Sequence, residues 1–283
     1  MEITVMDMAS WGSGEPNEDC AGHAAAMAWV IDGATDLVDA PLVGDVSDAA
    51  WLAGTAHHKL MRIATHAPPQ LADVPEILNR ELARDFHAQA RLAPQHPWAC
   101  PSAAALIVRA AGNVLEWVAL GDCALIVETG ASLATVGIGG AEAGDRSTAA
   151  EVSRLHKLHG IATDAQRKAR IWPRLRDERG ARLNQPEGYP VLSITPPPVH
   201  LIAQGRLDVE PGTHALLATD GLIRLIDIYA RYDARSLFEV AKTHGFESLL
   251  CELRQIEADD AECTAHPRVK QSDDATGILL RFT

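Results

Sequence analysis

Acidic residues recur along this chain where apolar runs stop. Val30-Ile31 leads into Asp32-Gly33, Leu120-Gly121 into Asp122, and Ala215-Leu216-Leu217-Ala218-Thr219 into Asp220-Gly221. Asp273-Asp274 stands just ahead of one more apolar run, and Glu18-Asp19 enters just before another. A carboxylate at the mouth of a buried strand is held rigidly and partly desolvated, which suits a metal ligand or a catalytic acid. Asp-Gly is also a common turn pair, so any one occurrence taken alone reads first as turn chemistry. If the last apolar run is antiparallel to its neighbours, its start lies at the same edge as their ends, and these carboxylates converge there. Unneutralised, they would repel and their pKa values would rise. Hard divalent cations are the natural remedy: Mn²⁺ and Mg²⁺ take oxygen ligands and keep several waters, and neither imidazole nor thiolate stands in the set. Two such ions about 3.5–4 Å apart make a hydroxide at neutral pH and hold a phosphoryl group for in-line attack. The chain has no Gly-x-x-x-x-Gly-Lys-Ser/Thr loop and no Gly-x-Ser-x-Gly elbow, so the P-loop and serine-hydrolase readings lack their anchors.

The elements that must position these acids can be read in outline. Ile3 to Met8 and Ala24 to Ile31 read as strands, separated by a Gly/Ser/Pro-rich loop over Trp11 to Pro16. Two helices follow, one capped by Ser47 and running to about Thr65, the next capped by Asp73 with Pro75 in its first turn; Pro68-Pro69 separates them. Ser102 to Arg109 and Val114 to Leu120 form a hairpin around Ala111-Gly112-Asn113, and Ala124 to Glu128 leaves from the Gly121-Asp122 corner. Both faces of Val114 to Leu120 are mostly apolar, which implies a sheet covered on both sides. A short helical segment follows Asp220, two helices cover Ser236 to Lys242 and Glu247 to Ala258, and Ala275 to Phe282 is the last strand. From about Gly139 to Pro190 the composition shifts to charged residues, basic over Arg167 to Arg182. With few large apolar residues, this segment reads as an insertion over the core. Its arginines read either as a solvated helix face or as a basic lid over an anionic substrate.

Bulk properties narrow the class. The chain has 283 residues, 47% hydrophobic and 22% charged, as expected of a globular protein with a sizeable core. A formal charge of -13 argues against broad nucleic-acid or anionic-membrane binding. Five cysteines, an odd number without Cys-x-x-Cys spacing, read as reduced thiols of a cytoplasmic protein. The N-terminus has no signal-peptide pattern, and no stretch is long and apolar enough for a membrane span. His57-His58 and His156/His159 read as surface histidines, not transition-metal pairs.

The ordered set Asn17-Glu18-Asp19, Val30-Ile31-Asp32-Gly33, Leu120-Gly121-Asp122-Cys123, Ala218-Thr219-Asp220-Gly221 and Asp273-Asp274-Ala275-Thr276 resembles the protein phosphatase 2C family of metal-dependent Ser/Thr phosphatases. Each motif is short; the ordered set spans nearly the whole chain. The resemblance implies an α+β fold, a four-layer α-β-β-α sandwich of two mostly antiparallel sheets flanked by helix pairs, in a single domain over 1–283 with a variable flap at about 139–190. It implies two or three Mn²⁺ or Mg²⁺ ions. Asp32 would bridge two of them with the Gly33 carbonyl on one, Asp220 and Asp273 would complete the shell of the first ion, and Glu18 would hold waters of the second ion. Asp122 would help Asp220 bind a third, with Asp19 and Asp274 in support. The implied partner is a phosphorylated protein, attacked by a metal-bridging hydroxide without a covalent enzyme intermediate. The chain departs from the pattern in three places. No arginine precedes Glu18, Ala34 stands where many members have a histidine, and Cys123 replaces a serine. Arg179 and Arg182 of the flap are the candidates for the missing phosphate contact. Two other readings stand beside this one: a catalytically weak module that binds a phosphorylated partner, and a hydrolase of small phosphoesters.

Overall fold

The computed structural model describes residues 1–43, 47–66, 70–138 and 143–283. Pro68-Pro69 and Gly139-Gly140 lie outside these residues. The first sheet orders five antiparallel strands as β1 (Ile3–Trp11), β11 (Ala275–Phe282), β10 (His214–Ala218), β6 (Ala124–Thr129) and β7 (Ser132–Val136). The second orders β2 (Asp19–Ala24), β3 (Met27–Gly33), β4 (Ser102–Ala111), β5 (Val114–Leu120) and β9 (Ala203–Asp208), with the short β8 (Leu192–Ser193) also on β4. The sheets stack through one apolar layer in which Val30, Leu106 and Val108 face Leu125, Val127, Leu217 and Leu280. Helices α1 (Asp48–Thr65) and α2 (Val74–Gln89) cover the outer face of the second sheet around Trp29 and Ile31. Helices α5 (Asp220–Asp227) and α6 (Ala234–Asp259) cover the other through Leu216, Phe238 and Phe246. This is the expected four-layer α-β-β-α sandwich.

Local signals explain most boundaries. The Ser47 hydroxyl accepts the Ala50 N–H and starts α1. α6 is broken at Gly245, whose φ of 76° no helix allows, so its two halves match the two expected helices. Four expectations need correction. Ala24 to Ile31 is not one strand: the chain reverses at Ala25-Ala26, with Ala25 at φ 49°, so β2 and β3 form a hairpin. Neither turn residue is Gly, Asn or Asp, so no usual hairpin signal marks it. Asp73 makes no side-chain cap; a single 3₁₀ turn over Leu71–Asp73 leads into α2 instead. β7 was not anticipated, because Ser132–Val136 has too short an apolar pattern to stand out. His57 is not a surface histidine: it is half-buried and accepts the buried Trp29 indole N–H at 3.3 Å, whereas His58 is exposed.

The charged segment forms α3 (Ala143–His159) and α4 (Asp164–Arg182). α4 is fastened at both ends. Near its start Arg167, which is buried, donates to the Val269 carbonyl at 3.1 Å, and the Asp164 carboxylate accepts the Gln271 N–H at 3.2 Å. Near its end Arg176 donates to the Leu37 carbonyl at 2.8 Å and stacks over Trp98, and Arg179 donates to the Thr35 carbonyl at 3.0 Å.

Candidate metal centre

The acids gather where the two sheets open at one end. β3 carries Asp32, and antiparallel pairing sets Asp19 of β2 directly opposite it. Like charges facing each other across a ladder repel, so this register is costly unless something neutralises the pair. β10 ends at Ala218, Thr219 caps α5, and Asp220 is the first helical residue. β11 pairs with β10 antiparallel, so Asp273 and Asp274, which precede it, return to the same end. Asp122 follows β5 and lines the same cavity as Asp220 and Asp273.

The two Asp-Gly pairs are not turns. Gly33 is the last residue of β3, and a Cβ there would lie 2.5 Å from the Glu18 carbonyl oxygen, the acceptor of the Gly33 N–H. Gly221 is in the first turn of α5, and a Cβ there would lie 1.9 Å from the Asp274 carbonyl oxygen. Neither has a positive φ. Each glycine is required because another acid's backbone passes too close for any side chain.

Hydrogen bonds sort the remaining acids. Asp19 accepts the Thr219 hydroxyl at 2.8 Å, and the same hydroxyl oxygen accepts the Thr276 N–H at 3.0 Å. Glu18 accepts the Ser47 hydroxyl at 2.6 Å and the Thr35 hydroxyl at 3.3 Å, which turns it toward the start of α1. Asp274 accepts the Ser13 N–H at 2.6 Å, the Ser13 hydroxyl at 2.9 Å and the Glu18 N–H at 2.7 Å. It fastens the Gly/Ser-rich loop and so presents Glu18-Asp19 to the site.

The electrostatics divide the site in two. At the Asp32 end, burial lifts the Asp32 carboxyl well above its ordinary range, and the charges of Asp19, Asp220, Asp122 and Asp273 add to it. Burial raises Asp19 to about 8, against the pull of its Thr219 and Thr276 contacts. Burial and the same acids push the Cys123 thiol up. At the Asp273 end the balance reverses. Burial alone would raise Asp273, but Arg224 at 2.5 Å and Lys270 at 2.8 Å overrule it and hold the carboxyl down to about 2.

Of these acids, Asp122, Asp220 and Asp273 line a cavity of about 640 Å³. Lys168, Trp172, Leu175 and Arg179 of α4 form its roof, and Arg224, His266, Arg268 and Lys270 are in its walls. Of the two flap arginines, only Arg179 reaches it. Arg182 is exposed at the end of α4 with its guanidinium over the Tyr189 ring, so it is not brought to the site. Arg224 and Lys270 are the cavity residues paired with Asp273 that a reading of the acids alone missed. Arg224 carried a signal, since it follows Asp220 by four residues on an expected helix and so shares its face.

The donor set suits a hard divalent cation at the Asp32 end. It is oxygen-only, buried and crowded with like charge, and a cation would relieve the raised carboxyls. Asp32, the Gly33 carbonyl, Asp220 and Asp122 can hold such an ion there, with Asp19 beside them. Asp273 does not suit it in the same way, being already neutralised by two protein cations. Among the described residues no three Asp, Glu, His or Cys side chains close into a ready-made cage.

No protein-family model matches the sequence, and no curated protein matches it either. Solved structures do. The Mycobacterium tuberculosis serine/threonine phosphatase PstP/Ppp superposes with a TM-score of 0.58 at 13% identity, over 100% of this chain and 99% of that one. The PstP catalytic domain in complex with two manganese ions gives 0.56 at 14% identity, over 99% and 98% of the two chains. PppA of Pseudomonas aeruginosa, a regulatory component of its type VI secretion system, gives 0.52 at 17% identity, over 99% of each chain. At these identities the likeness is one of architecture, and it extends over the whole chain: the protein has the fold of the serine/threonine protein phosphatases.

Proposed function

We propose that this chain is a metal-dependent phosphomonoester hydrolase, acting on phosphoserine or phosphothreonine in proteins. The observation that carries the reading is the Asp19–Asp32 register: two desolvated carboxylates face each other with raised pKa values at the sheet end where Asp122, Asp220 and Asp273 line a cavity. A fold that keeps such a pair gains from it only when a cation is bound. The neighbouring structures are serine/threonine phosphatases, one holding manganese, which supports both the substrate class and Mn²⁺ or Mg²⁺.

When bound, the ions supply a water acidic enough to deprotonate at neutral pH and a positive charge for the phosphoryl oxygens. The chain's own residues do the rest. Asp32 and Asp220 would hold the cations, and the Gly33 carbonyl could add a neutral ligand. Thr219 fixes Asp19 beside them, and Asp274 fixes the loop that presents Glu18. α4 roofs the cavity and limits water around the reacting group. That roof also favours a second reading, in which the substrate is a small phosphoester held wholly beneath it. We place the protein in the cytoplasm on its five free thiols; among the described residues no helix is long and apolar enough to cross a membrane.

The test is turnover of a small aryl phosphate and of phosphopeptides with Mn²⁺, with chelator, and with Asp220→Ala. The expected result is metal-dependent release of phosphate, lost by about 100-fold or more in the variant. Activity that survives both chelator and variant overturns the mechanism. No activity in the metal-loaded protein favours the non-catalytic binding module.

A further inference from the structure

We propose that Arg224 binds the phosphoryl group of the substrate, and so supplies from α5 the cation that the loop ahead of Glu18 lacks. Arg224 lies in the wall of the site cavity, one helical turn from Asp220. Its Nη2 donates to Asp273 Oδ2 at 2.5 Å. Among the described residues its Nε and Nη1 are buried and have no partner. A guanidinium carries five N–H donors and no acceptor, and leaving buried donors unpaired is costly, so this group is built to receive something more. What it receives must accept hydrogen bonds and carry negative charge. A phosphoryl group does both, and its oxygens match the planar fork of a guanidinium two at a time.

At this end two cations meet one carboxylate, with Asp220 and Glu257 the further acids acting on Arg224. Lys270 donates to the other oxygen of Asp273 at 2.8 Å, so two fixed cations stand against the one carboxylate they touch. Asp273 therefore stays neutralised by Lys270 when Arg224 turns toward a ligand. A divalent ion placed there instead would have to displace both cations. The other cavity arginines are committed elsewhere. Arg179 donates to the Thr35 carbonyl, and Arg268 is held by Asp260 at 2.5 Å and by the Gln271 carbonyl at 2.9 Å. The site thus divides its labour: hard cations at the Asp32 end, and a protein-borne cation for the phosphate at the Asp273 end.

This inference rests on the phosphatase reading for its ligand class, so its test measures binding and not turnover. The probe is inorganic phosphate, titrated calorimetrically into the Mn²⁺-loaded protein, with bound Mn²⁺ counted in parallel. The parent is expected to bind phosphate saturably. Arg224→Gln is expected to bind it at least tenfold more weakly with an unchanged Mn²⁺ count, and Arg224→Lys to fall between the two. Arg224→Met, which keeps the aliphatic stem, replaces the glutamine variant if that one does not fold. Unchanged phosphate affinity in a folded glutamine or methionine variant overturns the proposal. So does an extra Mn²⁺ in the variant with phosphate bound as well as before, since the guanidinium would then be standing in for an ion. A parent that binds no phosphate also overturns it. A parent that binds phosphate through Arg224 yet hydrolyses no phosphoester leaves the inference intact and removes the catalytic reading instead.

Discussion

The facing pair of acids sets how the metal-free protein must respond to pH. Burial lifts the Asp19 carboxyl from 3.8 to about 8. In the unfolded chain the group ionises near 4, as any free aspartate does, so between about pH 4 and pH 8 the folded protein keeps a proton that the unfolded one has released. Its contribution to stability is therefore complete below the lower value and is lost as pH rises through the upper one. At about 1.4 kcal/mol per pH unit the rise amounts to a ceiling of roughly 6 kcal/mol. Solvent and structural relaxation around charges at the edge of a cavity reduce this to about 3 kcal/mol. Asp19→Asn removes the titration and keeps an oxygen for the Thr219 hydroxyl. In chelator at about pH 8.5, the variant is expected to be more stable than the parent by about 2–3 kcal/mol, or roughly 5 °C in a chain of this size. At about pH 5, where Asp19 is protonated, the two are expected to converge. Urea denaturation at both pH values measures the difference, and comparing variant with parent cancels the general repulsion of an acidic protein. Added Mn²⁺ is expected to stabilise the parent more than the variant and to release protons as it binds. A variant less stable than the parent by the same amount at both pH values would refute the reasoning, because Asp19 would then be a structural hydrogen-bonding group and not a suppressed charge.

Two further perturbations test how the site is held. Gly221→Ala puts a methyl 1.9 Å from the Asp274 carbonyl, so α5 must shift, with a cost of about 2–3 kcal/mol by thermal denaturation and loss of Mn²⁺ affinity. Gly54→Ala in α1 is the control: its Cβ would meet nothing within 4 Å, and it is expected to stabilise by about 0.5–1 kcal/mol. Arg176→Ala removes the bond to the Leu37 carbonyl and the stack on Trp98. Limited proteolysis is expected to cut the α3–α4 segment several-fold faster while the global denaturation midpoint moves little; an unchanged cleavage rate would mean that α4 is held by its other contacts.

Much of the architecture was legible because strong local signals agreed with the global pattern. The last strand is bounded by Ser272-Asp273-Asp274, and β11 starts at Ala275. Ser47 announced α1, and it is also the residue whose hydroxyl binds Glu18. The convergence of Asp32, Asp122, Asp220 and Asp273 followed from which strand ends carried acids. What could not be read was whatever depends on approach distance. Gly33 and Gly221 looked like turn residues, yet they answer to carbonyl oxygens more than a dozen residues away in sequence. The hairpin at Ala25 was hidden because an alanine took the left-handed conformation. The cations were overlooked for a related reason. Spacing between acids can suggest that they meet, but not that Lys270 and Arg224 reach the same carboxylate first.

The way α4 is fastened has a consequence for the geometry of the mouth. Asp32 belongs to one sheet and Asp273 precedes a strand of the other, so the distance between the two ends of the site is a distance between sheets. α4 grips the chain at Thr35, three residues past Asp32, and at Gln271, two residues ahead of Asp273. A helix of 19 residues spans about 28 Å, and here, with Pro173 inside it, it is pinned to both leaves of the sandwich. It acts as a spacer bar whose length gauges the opening. Substitutions on its solvent face leave that gauge alone, whereas adding or removing one turn, about 5.4 Å, resets the gap without altering a single acid. α4 is thus the place where the reach of this site can be tuned independently of its chemistry.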